Sequence, residues 1–270
     1  MKACVRIQTS RVGFTLIELT AVIGIIAILT ALLLGAASVA KARANSVVCR
    51  NNLGQLGDAL VGFASQYGCY PLANNPGFLD GRHPEHQSAW SDALSTQEGV
   101  KLSGGMNGWA KHQGGIWDCP NSRQPTGWPG GRIYVDYGYN TSGLGNPVSG
   151  PDLGLGGTLV SATERIVVKD SAVAMPSAMY ALGDTFYGDG TILQDGRGFG
   201  RGRINLADPT AATMYDRNRA LRRHGGNGNV AFCDGHVEPV HLQRLLGASD
   251  DDSLRSWNRD NQPHPELLTK

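Results

Sequence analysis

The chain has 270 residues, of which 41% are hydrophobic, and its formal net charge at pH 7 is +1. This length corresponds to one or two domains, and the near-neutral charge argues against a nucleic-acid-binding surface. Glycine is abundant, with 37 residues or about 14%, roughly twice its average usage. Most of these glycines lie beyond residue 100, which predicts many turns and little regular structure there.

The first predicted element is a membrane-spanning helix. Residues 19–40 form a run of 22 residues without a formal charge, and at about 1.5 Å per residue such a helix covers a hydrocarbon core about 30 Å thick. Residues 1–17 contain Lys2, Arg6 and Arg11 and no acidic residue. The positive-inside tendency therefore places this short leader in the cytoplasm and the C-terminal bulk outside.

An ordinary secretory signal is the alternative for this run, because Ser38, Val39 and Ala40 form a suitable small-residue cleavage site. Two features argue against it. The run is longer than the usual signal core of about 7–15 residues, and the charged residue Glu18 lies directly at its start.

Residues 13–19, GFTLIEL, closely resemble the prepilin cleavage and methylation motif of type IV pilins and type II secretion pseudopilins. In that family a membrane aspartyl peptidase cuts after the glycine and methylates the new N-terminus. The resemblance implies cleavage between Gly13 and Phe14 and N-methylation of Phe14. Removing 13 of the 270 residues leaves a mature chain of 257, with Glu18 at its fifth position.

Glu18 is a charged residue at the start of a segment that is otherwise suited to the membrane interior. A lone carboxylate in hydrocarbon is costly, so an intramembrane acid usually has a partner, and a newly cut α-amine is a suitable one. In the family, the glutamate at this position pairs with the N-terminal amine of a neighbouring subunit, so the resemblance implies an assembly role. The alternative is that the carboxylate snorkels from the helix end to the headgroups.

Beyond the apolar run, a helical pattern continues, with apolar residues at spacings of three and four. These residues are Leu53, Leu56, Leu60, Phe63 and Tyr67. They predict one buried face of an amphipathic helix. The helix is expected to stop near Gly68, with Pro71 beyond it.

The resemblance implies an α+β, pilin-like fold, in which a long N-terminal helix packs on a loop-rich antiparallel β-sheet head. The predicted segments are a leader (residues 1–13), an N-terminal helix (14–68, transmembrane over 14–40 and amphipathic over 41–68) and a globular head (69–270).

Patterns in the head are shorter. Runs of β-forming residues predict strands over residues 132–139, 165–169 and 178–183. A short helix is predicted over residues 208–223, and glycine-rich connectors over residues 102–115 and 142–157.

Near the C-terminus, residues 229–233 and 236–240 predict a β-hairpin, because two short alternating runs flank Asp234 and Gly235, a favoured two-residue turn. Nine residues separate His224 from Asp234, and this spacing resembles the C-terminal signature of a large group of prepilin-type proteins. Three further stretches look like the same group: NNLGQLGDAL (51–60), WDCP (117–120) and YGYN (137–140).

Two sets of residues in the head are of metal-ligand type. His224, His236, His241, Asp234 and Cys233 are all of zinc-ligand type, but no Cys-x-x-Cys or His-Glu-x-x-His motif supports them. The alternative is that these groups hydrogen-bond the hairpin and its loop.

A calcium loop is the second metal hypothesis. Major pseudopilins often bind calcium in a loop, and Asp184, Asp189 and Asp195 supply hard oxygen ligands within residues 183–196. The pattern is not an EF-hand, and a solvated acidic loop is the alternative.

Of the five cysteines, Cys4 leaves with the leader, and the remaining four allow three pairings. Cys49 and Cys69 lie about 30 Å apart along one predicted helix, too far for a bridge. The resemblance implies a disulfide between Cys49 and Cys119, which leaves Cys69 and Cys233 for each other. Reduced thiols throughout are the alternative.

The chain lacks a Gly-x-Ser-x-Gly motif and a phosphate-binding glycine loop, and we expect no enzymatic activity and no cofactor. The resemblance implies a filament subunit of a type II secretion or type IV pilus system. Its expected partners are the prepilin peptidase and methylase, other pilin-like subunits and the bacterial inner membrane. It would be single-pass, with a cytoplasmic N-terminus and a head in the periplasm or in an extracellular filament.

Two alternatives differ from a filament subunit. One is a monomeric, membrane-anchored periplasmic protein. The other is a tethered module that binds a glycan or another polymer by stacking on tryptophans, for which Trp90, Trp109, Trp117 and Trp128 are the candidates.

Overall fold

A computed structural model gives the architecture of the chain. It describes residues 13, 15–72, 90–97, 103–104, 110–111, 115–121, 136–144, 152–161, 164–184, 223–247 and 250–268. The chain divides into two compact units, residues 1–43 and residues 44–270.

Helix α1 spans Leu16–Tyr67 and confirms the predicted long N-terminal helix. By length and composition it can cross a membrane, and its most apolar stretch buries none of its residues within the chain. Apolar side chains such as Ile17 and Leu34 are exposed. The alternative of a signal core also passes this test of length and composition.

In the second unit, one face of α1 is buried from Cys49 onward. The predicted apolar residues Leu53, Leu56, Leu60 and Phe63 all lie on this face. Tyr67 does not: its side chain is exposed and its ring lies on Phe63, with the ring centroids 4.6 Å apart.

The helix ends where the sequence predicts. Gly68 has φ +68°, and its N–H donates to the carbonyl of Ala64 at 2.8 Å. Glycine adopts this left-handed conformation without the steric cost that a Cβ atom brings, which is why helices often end on it.

The main sheet of the head has four antiparallel strands. They are β3 (Tyr137–Tyr139), β6 (Tyr180–Asp184), β7 (Asn227–Phe232) and β8 (Val237–His241), in the order β3-β6-β7-β8. The order follows from the register, since Tyr139 pairs with Leu182, Leu182 with Ala231, and Ala231 with Val237. An α+β fold with an antiparallel sheet is therefore confirmed.

Smaller elements complete the described part of the head. Two-stranded ladders join β1 (Ser103–Gly104) to β2 (Ala110–Lys111) and β4 (Thr158–Ser161) to β5 (Glu164–Ile166). The helices are α2 (Trp90–Gln97) and α3 (Asp251–Arg255). Short helical turns occupy Gly115–Trp117, Asp170–Ala172, Arg223–Gly225, Gln243–Gly247 and Pro265–Leu267.

Several predicted boundaries change. The strand predicted over residues 165–169 begins one residue earlier and ends at Ile166, and β4 and α2 were not predicted. Of the strand predicted over residues 132–139, the part before Asp136 lies outside the described residues. The helix predicted over residues 208–223 also lies outside them, apart from Arg223.

The sheet separates two apolar cores. One includes Leu60, Trp117 and Ala181, and the other includes Phe232 and Trp257. Alternation along β7 produces this division, since Val230 and Phe232 enter the second core while Ala231 enters the first.

Candidate functional site

The N-terminus of α1 carries a reciprocal cap. The backbone N–H and the hydroxyl of Thr15 donate to Oε2 of Glu18 at 2.9 and 2.7 Å, and the N–H of Glu18 donates to Oγ1 of Thr15 at 3.3 Å. This is a capping box, in which two orphan donors of the first turn are satisfied. Glu18 therefore has a structural role within its own chain, which was not predicted although Thr-x-x-Glu is the ordinary sequence signal of a capping box.

The second group of candidate residues is the C-terminal hairpin. The N–H of Phe232 donates to the carbonyl of His236, so three residues, 233–235, form the loop. The predicted two-residue turn is therefore wrong by one residue. Gly235 has φ +93°, and its N–H donates to the Phe232 carbonyl at 3.0 Å, as in a three-residue hairpin closed by a left-handed glycine.

The hairpin loop packs on α1 within the head. A Cβ atom added at Gly57 would lie 3.1 Å from the carbonyl oxygen of Gly235, and one added at Gly235 would lie 3.4 Å from Val61. The absence of a side chain at Gly57 permits this close approach, whereas a Cβ atom at Gly235 would make ordinary contact. Asp234 and Gly235 of the predicted signature thus belong to a hairpin loop that packs against α1.

The histidine of the signature lies elsewhere. Its backbone is left-handed, with φ 51° and ψ 28°, and Gly225 and Gly226 continue the positive φ values. The sequence His-Gly-Gly suits this conformation because glycine tolerates it at little cost. The turn directs the imidazole of His224 toward Cys119 and Asp184, and its side chain is 1% exposed.

A disulfide joins Cys49 of α1 to Cys119, and their Cα atoms are 5.0 Å apart. It closes a separation of 70 residues, which by loop entropy stabilises the fold by about 4 kcal/mol. Around it, the N–H of Cys119 donates to Asp136 at 2.8 Å and the hydroxyl of Tyr137 donates to the carbonyl of Cys49 at 3.2 Å.

The imidazole of His224 contacts three groups. Nε2 lies 3.5 Å from Sγ of Cys119 and 3.3 Å from Oδ2 of Asp184, and Nδ1 lies 3.3 Å from Nδ2 of Asn121. With the Asn121 amide as donor, Nε2 carries the proton and directs it at the carboxylate and the sulfur.

Asp184 ends strand β6, and its side chain is fully buried. Oδ2 accepts hydrogen bonds from the backbone N–H of Asn229 at 2.7 Å and from Nδ2 of Asn229 at 3.0 Å. These donors and His224 compensate the cost of burying a carboxylate. Asp189 and Asp195, the other predicted calcium ligands, lie outside the described residues.

The predicted pairing of Cys69 with Cys233 is wrong: both are buried, and no disulfide joins them. Cys69 pairs with Lys169 in an isolated β-bridge just after α1, while Cys233 hydrogen-bonds the side chain of Tyr70. Burial raises the pKa of the Cys233 thiol to about 12. The thiolate needed for disulfide exchange is therefore disfavoured there.

The predicted zinc ligands do not form one cluster either. Nδ1 of His236 lies 2.5 Å from Oδ1 of Asp234 and its ring stacks on Phe232, whereas Nδ1 of His241 accepts from the N–H of Gln243 at 3.3 Å. The alternative, that these groups hydrogen-bond the hairpin, is confirmed for the pair Asp234 and His236. In the part of the chain that the structure describes, the one group of three metal-ligand donors within 4.8 Å is Cys49, Cys119 and His224.

Two of the tryptophans proposed for stacking are core residues. Trp90 and Trp117 are 8% and 1% exposed, and their ring centroids lie 5.8 Å apart. Trp109 and Trp128 lie outside the described residues.

Comparison with protein-family models, with curated proteins and with solved structures finds no match for this chain.

Proposed function

We propose that this chain is a pilin-like structural subunit. It is processed between Gly13 and Phe14, anchored in the bacterial inner membrane by α1, and assembled through α1 into a type II secretion or type IV pilus-like filament. The observation that carries the proposal is an exposed, membrane-length apolar helix that begins within GFTLIEL, at Leu16, and bears a carboxylate in its first turn.

The exposed apolar half of α1 supports an environment of lipid or of other helices. Ile17, Ile28 and Leu34 are 75%, 64% and 73% exposed. The other large apolar side chains of this half of the helix are exposed as well, so the apolar surface extends around the helix. Exposure of this much contiguous apolar surface to water is unfavourable. Membrane insertion before assembly and helix packing after it both remove the surface from water.

The geometry of Glu18 is compatible with an assembly role. Both hydrogen bonds from Thr15 reach Oε2, and a carboxylate has a second oxygen that can accept from a neighbouring subunit. The cap satisfies hydrogen bonds without neutralising the charge. In hydrocarbon, the methylated amine of a neighbour's Phe14 would supply the opposite charge.

The disulfide supports export of the head. Disulfides persist in oxidising compartments such as the periplasm, and the Cys49–Cys119 bridge ties α1 to the loop after the Gly115–Trp117 turn. The head in this proposal has a structural and not a catalytic role.

The glycan-binding alternative has less support from the described residues, because two of its four candidate tryptophans, Trp90 and Trp117, are buried. The monomeric anchored protein shares every feature of α1 and differs only in whether the helices associate. Association of subunits is therefore the property to measure, once processing has been established.

Processing is tested by mass spectrometry of the membrane-extracted chain. We expect a mature chain of 257 residues beginning with N-methylated Phe14, and accumulation of the full precursor when Gly13→Leu blocks cleavage. The matched control is Gly24→Leu, also at a glycine with open space around it, which should leave processing intact. A wild-type N-terminus at Lys41 would establish a secretory signal and remove the proposal.

A further inference from the structure

The disulfide and His224 bring three groups of metal-ligand type into one cluster, and the buried carboxylate of Asp184 lies beside the histidine. The ligand atoms of Cys49, Cys119 and His224 lie within 4.8 Å of one another. Oδ2 of Asp184 lies 3.3 Å from Nε2 of the same histidine, and the side chains of His224 and Asp184 are 1% and 0% exposed. Thiolate sulfur, imidazole nitrogen and carboxylate oxygen are all ligand types that zinc accepts, and Asp184 is the nearest candidate for a fourth ligand.

The distances around the imidazole match those of a tetrahedral site. With Zn–S near 2.3 Å and Zn–N or Zn–O near 2.0–2.1 Å, sulfur and nitrogen ligands lie about 3.5 Å apart, and nitrogen and oxygen ligands about 3.3 Å apart. The separation of Cys119 Sγ from His224 Nε2 is 3.5 Å, and that of His224 Nε2 from Asp184 Oδ2 is 3.3 Å. The two sulfurs, bonded to each other in the oxidised chain, would have to move to about 3.8 Å apart.

We propose that reduction of the Cys49–Cys119 disulfide converts this cluster into a zinc site with Cys49, Cys119, His224 and Asp184 as ligands. A dithiol reductant supplies two electrons and two protons, its own sulfurs become a disulfide, and the S–S bond of the chain becomes two thiols. Zinc then displaces the two thiol protons and forms two Zn–S bonds. A disulfide oxidant reverses the steps and releases the ion.

The groups behind the ligands suit this role. Ligating histidines generally direct their second ring nitrogen at a hydrogen-bond acceptor, and Asn121 lies 3.3 Å from Nδ1 of His224. When zinc takes Nε2, Nδ1 carries the proton, and rotation of the Asn121 amide presents Oδ1 to it. Asn229 holds the carboxylate of Asp184 through two donors. The imidazole and the carboxylate are thus oriented before an ion arrives.

The two remaining thiols of the head provide an internal control. Cys233 hydrogen-bonds the side chain of Tyr70, and Cys69 pairs with Lys169 through its backbone. Neither belongs to the cluster of Cys49, Cys119 and His224.

The test is a titration of the full chain in detergent micelles with Co²⁺, a spectroscopic substitute for zinc. Chain reduced with a phosphine should bind one ion and develop both thiolate-to-cobalt charge-transfer absorption and the d–d bands of tetrahedral cobalt. Added Zn²⁺ should bleach both. Oxidised chain should show neither.

Variants assign the bands to this cluster. Cys119→Ser should strongly reduce the thiolate-to-cobalt charge-transfer absorption, because only the Cys49 thiolate remains, and His224→Ala and Asp184→Asn should weaken binding. The double variant Cys69→Ser/Cys233→Ser should bind like the wild type. Asn121→Ala, which removes no ligand, should lower affinity by about 10–100-fold.

Two results would overturn the proposal. One is a reduced, folded wild type without tetrahedral cobalt bands, and the other is an equal band in Cys119→Ser. If reduction unfolds the head, as near-ultraviolet circular dichroism would record, zinc must restore the fold. A reduced chain that stays unfolded in zinc contradicts the proposal as well.

Discussion

Asn140 joins three parts of the head through a single buried amide. Its Nδ2 donates to the carbonyls of Tyr180 and Trp257 at 2.8 and 2.9 Å, and its Oδ1 accepts from the N–H of Gly143 at 3.0 Å. It is the last residue of the YGYN stretch, directly after β3. An amide suits this position because it supplies two donors and an acceptor at once.

Replacing Asn140 by alanine should lower the free energy of unfolding by about 2–4 kcal/mol, because two buried carbonyls and one N–H lose their partner. Urea denaturation in detergent micelles measures this change. The control is Asn51→Ala, at an exposed position of α1, which should shift the free energy by less than about 1 kcal/mol. Equal losses in the two variants would show that the network adds nothing.

Cys233 makes stability depend on alkaline pH. Burial raises the pKa of its thiol to about 12 in the folded chain, above the ordinary value of 9.0. Its contribution is therefore fully present below pH 9 and declines as the pH rises toward 12. Wild type should lose free energy of unfolding between pH 9 and 11 more steeply than Cys233→Ala, by up to about 1.4 kcal/mol per pH unit. Parallel curves for the two chains would contradict this assignment.

At the scale of elements, α1 and the hairpin loop meet at glycines. Gly57 lies against Gly235 and Ala231, whereas Gly54, one turn earlier, has only Val237 near the position of a Cβ atom, at 3.9 Å. Both glycines lie within the helix, where alanine has a helix propensity more favourable than that of glycine by about 1 kcal/mol. The two positions differ in the space available for an added side chain.

Gly54→Ala should therefore stabilise the head by up to about 1 kcal/mol. Gly57→Val should destabilise it, because its Cβ atom alone would lie 3.1 Å from the Gly235 carbonyl and its methyl groups would displace the loop. Thermal unfolding in micelles gives both signs. A Gly57→Val chain as stable as Gly54→Val would show that the loop does not pack tightly there.

Long or locally encoded elements were predictable, and short ones were not. The apolar run, the three- and four-residue spacing up to Phe63, and Gly68 specify α1 through local physics. The hairpin follows from alternation around Asp234 and Gly235. Strand β4 has four residues and pairs with β5, which has three. Strands this short carry little sequence pattern of their own, because their pairing depends on tertiary contacts.

The same division applies to the candidate site. The capping box of Thr15 and Glu18 lies within four residues and was readable from the sequence. The contact of His224 with Asp184 joins residues 40 apart, and Cys119 lies 105 residues from His224. Only the fold of the head brings these groups together.

At the scale of the whole molecule, the proposed filament requires association of subunits through the first turn of α1. Glu18 caps its own helix there, and in the proposed filament it would also neutralise a neighbour's amine. Glutamine also serves in a capping box but carries no charge, so Glu18→Gln separates the roles. Thr15→Ala removes the capping partner and keeps the charge, at a helix cost of about 0.5–2 kcal/mol.

The most direct measurement is the yield of crosslinked multimers in membranes containing equal amounts of processed chain, compared for wild type, Glu18→Gln, Glu18→Ala and Thr15→Ala. Wild type and Thr15→Ala should form multimers. Both Glu18 variants should fail, because losing one partner of a buried ion pair costs about 3–5 kcal/mol, or a factor of ~10²–10³ in association. Equal yields from wild type and Glu18→Gln, with normal processing, would contradict the account and favour a monomeric anchored protein.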